Sequence, residues 1–496
     1  MGLLISCNQT QTKRPGFGMN LEEVRKEYNG NKAKYIFYFI GDGMGMPQIS
    51  ATERYLAALD GKEGQRKLNI TKFPNQTMVT TYAEDRFITG SAAAGTALAT
   101  GNKTTINTIS MDGKREKPLK TIAEIAKSEG KKVGIISSVS IDHATPAAFY
   151  AHQPTRKMLY EIGLDMIKAD FDFYGGGDVV YPRGKDKSAS KGDVYEELKK
   201  AGYKITRDKN EFKSLNQNSG KVFAISPTLD ADKATRYAMD QNPKDDISLK
   251  ELTIKAVEMF SGNEKGFFVM VEGGKIDWAC HANDAAATIH DVLAFDDAVG
   301  VAVDFYNKHP EETLIVIVGD HETGGMTLGF SGRQYDSAFE VLKNQKMSYL
   351  AFDESVIQPM KNIDGIAKLN KDQLIEKFWS EIYIQIQNNF SLGTDKLPLN
   401  EYEINILKDA FAASMLGEKI APKSDQTYLL YGGYEPLSIK LTTILNQKAG
   451  IGWTSYSHTG VPIPAYAMGC GQELFFGYND NTDVAKNIIA VMSEQN

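Results

Sequence analysis

Residues that can bind metal ions follow several apolar runs in this chain. These are Asp42 after residues 35–40, Asp142, His143 and Thr145 after 133–137, Glu272 after 267–271, and Asp320 and His321 after 313–318. Such runs are typical of strands buried on both faces of a parallel sheet, and ligands of these sheets bind beyond the carboxyl ends of the strands. Carboxylates that converge there repel one another unless cations lie between them, so the pattern indicates bound metal.

A second set of candidate ligands combines a carboxylate with imidazoles. Asp277 and His281 are four residues apart, so both side chains lie on one face if the segment is helical. Both are good zinc ligands, and His458 is a further imidazole candidate. Taken singly, a strand-end acid also suits a cap or a turn, and an Asp–His pair also suits a surface. For the complete set, every candidate ligand would have to be a cap, turn or surface residue by coincidence, so a metal centre is favoured.

Ser91 is the candidate nucleophile. Small residues follow it at positions 92–95, which predicts a helix that begins at Ser91. A helix N-terminus stabilises an anion or a phosphate through its free N–H groups. The alternative is that Ser91 only caps the helix. A nearby metal cluster able to hold its alkoxide would favour the nucleophile.

Alternating strands and helices have to position these side chains. Residues 121–129 have a helical pattern, and residues 285–306 are typical of a crossover helix. The alternation predicts the α/β class, in three layers with a central, mostly parallel sheet flanked by helices. Residues 373–389 and 403–415 are amphipathic helix candidates within 331–450, a block that we interpret as a largely helical insertion.

The chain therefore divides into three predicted parts. Residues 1–29 are a signal-peptide remnant and tether, residues 30–330 and 451–496 form the core, and residues 331–450 form the insertion. Three roles stay open for the insertion: a crown, a lid, or a dimer contact in a homodimer. Residues 183–220 are rich in Lys, Ser and Asp and are predicted to be exposed.

Charge and cysteine content restrict the partners. With 56 basic and 63 acidic residues, the formal net charge is −7 and no basic stripe occurs, so nucleic acid is not expected as a specific partner. Three cysteines imply no disulfide framework, and whether Cys280 and Cys470 pair stays open.

The third cysteine, Cys7, ends an apolar run and is followed by a polar stretch. This resembles the lipobox of a bacterial lipoprotein and predicts a location in the periplasm or at the cell surface. The membrane would then be contacted only through a lipid anchor at Cys7. Two alternatives stay open: an N-terminus of no consequence, and the loose myristoylation pattern of Met1, Gly2 and Ser6.

Several segments, taken in order, resemble the alkaline phosphatase family over most of residues 30–330 and 451–496. They are Ile40-Gly41-Asp42-Gly43-Met44-Gly45, Gly90-Ser91-Ala92, His143-Ala144-Thr145-Pro146-Ala147, Ala151-His152-Gln153-Pro154-Thr155-Arg156, the stretch from Val271 to His281, Asp320-His321, and His458-Thr459-Gly460. The resemblance implies an enzyme that hydrolyses small phosphate monoesters through a covalent phosphoserine on Ser91, releasing alcohol and inorganic phosphate.

The resemblance also implies two zinc ions and one magnesium ion. The implied ligands are Asp277, His281 and His458 for one zinc, Asp42, Asp320, His321 and Ser91 for the second, and Asp42, Thr145 and Glu272 for magnesium. Arg156 would clamp two phosphoryl oxygens through its planar fork. Trp278 would contact the phosphate pocket or a water in it, with ordinary packing as the alternative.

Three positions depart from the family pattern. Gly90 stands where many members have an aspartate that steadies the arginine, so Arg156 is expected to be held less firmly. His143 and Trp278 stand where bacterial members often have Asp and Lys. His143 either ligates a metal or only supports the residues that do.

Other functions fit less well. A phosphodiesterase of the same superfamily would share the zinc ligands but usually lacks the arginine, so Arg156, Glu272 and Thr145 favour the monoesterase. A sulfatase requires Pro two residues after its nucleophile, and Ala93 stands there. An inactive, surface-tethered phosphate-binding protein would have lost a ligand or the nucleophile, and none is lost.

Overall fold

The computed structural model describes residues 28, 30–185, 192–419 and 421–492. The strands in these ranges are β1 (Tyr35–Gly41), β2 (Asn75–Thr80), β3 (Lys132–Ser137), β4 (Phe173–Gly176), β5 (Tyr203–Thr206), β6 (Lys221–Ile225), β7 (Phe267–Glu272), β8 (Thr313–Gly319), β9 (Glu322–Thr323), β10 (Thr327–Leu328), β11 (Ile451–Gly452), β12 (His458–Thr459), β13 (Ile463–Gly469) and β14 (Tyr478–Asp480). Ten strands form one sheet in the order β14-β2-β13-β8-β1-β7-β3-β4-β6-β5. Within it, β13 runs antiparallel to both neighbours and the other pairs are parallel.

The centre of the sheet explains the apolar runs in the sequence. Every residue of β1, β7 and β8 is buried, because helices cover both faces. The register pairs Ile40 with Glu272 and Gly41 with Gly319, so these three strands end at the same level. The four strands predicted from apolar runs are all present, with bounds that differ by one residue at most.

Helices pack on both faces and complete three layers. In β1, Ile36, Tyr38 and Ile40 contribute to one hydrophobic core, and Tyr35, Phe37 and Phe39 contribute to the other. The α-helices outside residues 331–450 are Met46–Leu59, Ser91–Thr100, Ile122–Ser128, Ala144–Ala147, Leu159–Ala169, Val194–Lys200, Lys209–Ser214, Leu249–Phe260, Lys275–His281, Ala285–Tyr306 and Asn481–Met492. The predicted α/β class, with a central and mostly parallel sheet, is confirmed.

Residues 331–450 are largely helical. Their α-helices are Tyr349–Phe352, Gln358–Lys361, Lys371–Phe390, Glu401–Leu416, Asp425–Tyr431 and Pro436–Ala449. The two longest begin with capping boxes, formed by Asn370 with Gln373 and by Asn400 with Glu403. This segment shares a hydrophobic core with helices Met46–Leu59 and Ala285–Tyr306. The predicted division of the chain into core and insertion stays a prediction.

Three sequence expectations come out differently or stay untested. Residues 192–220 are not simply exposed, because they form β5 at the sheet edge and two helices whose Leu198 and Phe212 are buried. Cys280 and Cys470 are free thiols and do not pair. Cys7 lies outside the described residues. Among the helices that are described, none has the length and apolar character needed to cross a membrane.

Candidate active site

Three buried carboxylates meet at the carboxyl edge of the sheet. Asp42 follows β1, Glu272 is the last residue of β7, and Asp320 follows β8; all three are fully buried. The turn after Asp42 requires Gly43, whose φ is +74° and whose backbone N–H donates to Asp320 Oδ1 at 3.0 Å. The parallel register therefore places the three carboxylates together at one edge of the sheet, as predicted.

The first group of ligand atoms is the predicted set Asp277, His281 and His458, and His321 also offers an atom within 4.8 Å of those of Asp277 and His458. Residues 275–281 are helical, as predicted, and His281 Nε2 lies 3.3 Å from Asp277 Oδ2. His458 Nε2 lies 3.1 Å from His281 Nε2 and 3.6 Å from Asp277 Oδ1. Each imidazole donates its Nδ1–H to a backbone carbonyl, Tyr456 for His281 and Thr89 for His458. Both Nε2 lone pairs are therefore free to bind one cation.

The second group consists of Asp42, Asp320 and His321. His321 Nε2 lies 3.1 Å from Asp320 Oδ2 and 3.4 Å from Asp42 Oδ1. The same nitrogen lies 3.3 Å from Ser91 Oγ. Asp42 Oδ1 and Asp320 Oδ2 are buried, and neither has a hydrogen-bond partner among the described residues. Buried oxygen atoms without such a partner fit coordination of a cation.

The third group consists of Asp42, His143 and Glu272, which offer ligand atoms within 4.8 Å of one another. Thr145 Oγ1 donates to Asp42 Oδ2 at 3.3 Å. The Ser137 hydroxyl donates to Glu272 Oε2, whereas Glu272 Oε1 is buried without a partner in the described chain. His143 thus lies beside the oxygen atoms of Asp42 and Glu272, and its Nδ1 is buried without a hydrogen-bond partner in the described chain.

The electrostatics of these groups also fit metal ions. Burial, and then the charges of Asp320, Asp277 and Glu272, raise the pKa of Asp42 well above its usual range. Burial raises the pKa of Glu272 to about 8. Burial opposes ionisation of Asp277 too, but His281 and His458 hold the pKa of that carboxyl well below normal. Bound cations would favour ionisation of all the buried carboxyl groups at this edge of the sheet, which would otherwise repel one another.

Ser91 lies at the start of helix Ser91–Thr100, as the sequence predicted. The N-cap residue is Gly90, so the Ser91 hydroxyl does not cap the helix and instead approaches His321. The side chain is 2% exposed and lines a cavity of about 840 Å³. A nucleophile fits this placement better than a cap does.

Arg156 lines the same cavity as Ser91. Its backbone N–H donates to the Asn107 carbonyl at 2.7 Å, and its Nη2 donates to His143 Nε2 at 2.7 Å. Burial, and then the Arg156 charge, lower the pKa of His143 to about 3, which keeps the imidazole a neutral acceptor. His143 therefore supports the guanidinium, since Gly90 offers no side chain to do so.

Trp278 lies on the cavity wall beside this arginine. Its ring meets the His143 ring edge-on, with centroids 5.9 Å apart, and Lys275 Nζ lies 4.9 Å from its centroid. Trp278 thus packs against His143, the residue that accepts a hydrogen bond from Arg156.

Sequence reasoning missed several supporting residues. Thr323 Oγ1 donates to Asp277 Oδ1 at 2.6 Å and lies 3.2 Å from His321 Nδ1. Ser137 lies opposite Glu272 in the pairing of β3 with β7. The position of Ser137 at a predicted strand end was a usable signal. The chain carries no comparable signal for Tyr349 and Tyr434, which also line the cavity.

Comparisons with known proteins show the family to which the chain belongs. A family model described as Alkaline phosphatase matches residues 33–493. Alkaline phosphatase 4 of Bacillus subtilis (strain 168) is 32% identical over 478 residues, which cover 94% of this chain and 90% of that protein. The cold-active alkaline phosphatase from the psychrophile Shewanella sp. is 27% identical with a TM-score of 0.74, and the match covers 93% of this chain and 100% of that one.

A second solved structure is also similar to this chain. A TAB5 alkaline phosphatase mutant with Mg bound in the M3 site is 25% identical to this chain, with a TM-score of 0.62. The match covers 94% of this chain and 99% of that one. The family match and the identity to the Bacillus protein show that this chain belongs to the alkaline phosphatase family of enzymes.

Proposed function

We propose that this enzyme hydrolyses phosphate monoesters through a covalent phosphoserine on Ser91. The observation that carries the proposal is the position of Ser91 Oγ, 3.3 Å from His321 Nε2 and at the wall of a large cavity. The hydroxyl is thus beside two groups of metal-ligand atoms and on the same cavity as Arg156. These are the parts that phosphoryl transfer to a serine requires.

We assign metal ions to the three groups by the chemistry of their donors. The first two groups combine carboxylates with imidazole and suit zinc: Asp277, His281 and His458 would hold one ion, and Asp42, Asp320, His321 and Ser91 would hold the other. The oxygen atoms of Asp42, Thr145 and Glu272 suit magnesium, an ion that the TAB5 mutant binds in its M3 site. When bound, the ions lower the pKa of the serine hydroxyl and stabilise charge on the phosphoryl and leaving oxygens.

The residues of the chain perform the remaining work. Arg156 binds two phosphoryl oxygens through its fork and orients the phosphorus toward Ser91 Oγ. The Ser91 oxygen forms a bond to phosphorus as the bond to the alcohol oxygen breaks, and the hydroxyl proton passes to solvent. Water then attacks the phosphoserine, which releases inorganic phosphate and restores Ser91. Trp278 borders the bound phosphoryl group.

Two alternatives are less well supported. A phosphodiesterase of the superfamily usually lacks the arginine, whereas here Arg156 is half-buried at the cavity wall and donates to His143. An inactive phosphate-binding protein would have no reason to keep a buried nucleophile beside unsatisfied carboxylates. We further propose a periplasmic or cell-surface location, with a lipid anchor at Cys7 as the only membrane contact.

Steady-state hydrolysis of 4-nitrophenyl phosphate and bis(4-nitrophenyl) phosphate tests the proposal. We expect the monoester to be preferred, Ser91→Ala to abolish turnover, and EDTA to abolish it until zinc and magnesium are restored. Ser140 lines the same cavity and belongs to none of the three ligand groups, so Ser140→Ala should keep measurable turnover.

The possible failures of this test are distinct. Preference for the diester would contradict the role of Arg156 while leaving the metal groups in place. Full activity of Ser91→Ala would exclude the phosphoserine. If the metal-loaded wild type cleaves neither ester, the result would support the alternative of an inactive phosphate-binding protein.

A further inference from the structure

The cavity beside Ser91 is much larger than a phosphoryl group needs. Its volume is about 840 Å³, which lies in the range of pockets that hold a whole small molecule. The metal-ligand side is lined by Ser91, Arg156 and Asp277, and the rest includes the side chains of Trp278, Tyr349 and Tyr434. The additional space therefore has a substantial aromatic lining.

We propose that this aromatic wall, formed by Trp278, Tyr349 and Tyr434, binds the alcohol half of the substrate and selects phosphate monoesters with a flat aromatic group, such as nucleoside monophosphates. The inference rests on the proposed function, because it names a substrate class for the same site. It adds a role in specificity for two tyrosines of the helical segment 331–450.

The rings of the wall are fixed in place by their neighbours. The Tyr349 hydroxyl lies 3.2 Å from the Tyr237 hydroxyl, and the Tyr349 backbone N–H donates to Asp284 at 2.9 Å. Tyr434 meets the Tyr349 ring edge-on, with centroids 5.7 Å apart and an interplanar angle of 88°. Tyr434 keeps part of its surface open, whereas Tyr349 is 7% exposed. Rings held in this way present a preformed surface to a ligand.

The wall lies on the side where the alcohol departs. Tyr434 also packs near Tyr456, with ring centroids 6.5 Å apart, and the Tyr456 carbonyl accepts the Nδ1–H of His281. An ion held by Asp277 and His281 would stabilise the leaving oxygen in the proposed reaction. The group attached to that oxygen therefore extends toward Tyr434.

The chemistry of the wall favours a π-face over an aliphatic group. Aromatic side chains stack on flat rings in offset or edge-on arrangements, and nucleobases stack on them irrespective of sequence. A sugar phosphate places its phosphoryl group beside Arg156 but leaves the rings uncovered. A nucleoside monophosphate adds a base that covers them, so it gains binding energy from the wall.

Adenosine 5′-monophosphate and ribose 5-phosphate form the matched substrate pair, because both are phosphate esters of a primary ribose alcohol and only one carries a base. For the metal-loaded wild type we expect kcat/KM to favour the nucleotide by about three- to tenfold. Tyr434→Ala should lower this ratio without changing the ribose 5-phosphate value, and the two remaining rings should keep part of the preference. Tyr434→Phe keeps the ring and should keep the ratio. Tyr335 is fully exposed in the same segment, so Tyr335→Ala is the control.

Binding without turnover provides a second readout. Calorimetric dissociation constants for both ligands are measured on metal-loaded Ser91→Ala, with and without Tyr434→Ala. The nucleotide should bind more tightly than the sugar phosphate, and only its affinity should fall when Tyr434 is removed.

Three outcomes would contradict the inference or its basis. Equal kcat/KM values for the two substrates in the wild type would overturn the inference and leave the proposed function intact. An equal loss for both substrates in Tyr434→Ala would show that Tyr434 supports the metal side instead. If the wild type hydrolyses neither ester, the proposed function itself fails.

Discussion

At the scale of single residues, His143 connects the arginine that binds phosphate with the third group of metal ligands, two features that the sequence analysis considered separately. Its Nε2 accepts from Arg156, and its imidazole belongs to the oxygen-rich group with Asp42 and Glu272. One side chain therefore steadies the phosphate clamp and limits which ion the third group prefers. Because Nε2 accepts from Arg156, the imidazole proton is on Nδ1, so His143 offers this group an N–H instead of the oxygen ligand that magnesium favours.

Replacing His143 tests this connection. In His143→Asp the carboxylate completes an all-oxygen group with Asp42 and Glu272, so we expect the purified protein to retain more magnesium after dialysis, measured by elemental analysis. The extra buried negative charge should also lower the melting temperature of the metal-free protein relative to wild type. His143→Asn is the control of similar size without charge. Equal magnesium content in all three proteins would place His143 outside the third site.

At the scale of secondary-structure elements, strands buried on both faces were predictable and others were not. β1, β7 and β8 are continuous apolar runs because no face meets water, and the acids at their ends follow from that. β13 carries no such signal, since its residues include Pro464 and several small side chains. Pro464 is tolerated because it pairs with Met78 of β2, whereas pairing with β8 begins at Ala465.

The contact between the turn after β1 and helix Lys275–His281 carries a prediction about Gly43. A Cβ at this position would lie 2.8 Å from the Asp277 Cα, in addition to the strain of φ +74°. Gly61 has a similar φ of +67° but open space around it, so Gly61→Ala measures the strain alone. We expect Gly43→Ala to lower the melting temperature more than Gly61→Ala does, and to reduce zinc content because Asp277 is displaced. Equal effects of the two substitutions would show that the turn has room to move.

At the scale of the whole molecule, the part of the site that sequence could not reveal comes from residues far apart in the chain. Most candidate metal ligands lie at or near the ends of strands and helices, and hydrophobic patterns in the sequence predict where these elements end. Tyr349 and Tyr434 instead reach the cavity because the segment 331–450 packs on the central helices, and no local pattern encodes that contact. Because of this packing, the segment and the central helices share one hydrophobic core, so burial of the segment contributes to the stability of the whole fold.

The shared core predicts that the segment 331–450 unfolds together with the sheet. Leu445, in helix Pro436–Ala449, is fully buried in a cluster that also contains Tyr55 and Ile289 from the central helices. Leu445→Ala should reduce the free energy of unfolding by about 2–5 kcal/mol, because it removes buried methyl groups and leaves a cavity. We expect calorimetry to show one transition, shifted to a lower temperature as a whole. Leu429 is 77% exposed in the same segment, so Leu429→Ala should leave the transition almost unchanged. Two transitions, of which only one shifts in Leu445→Ala, would show that the segment folds independently of the sheet.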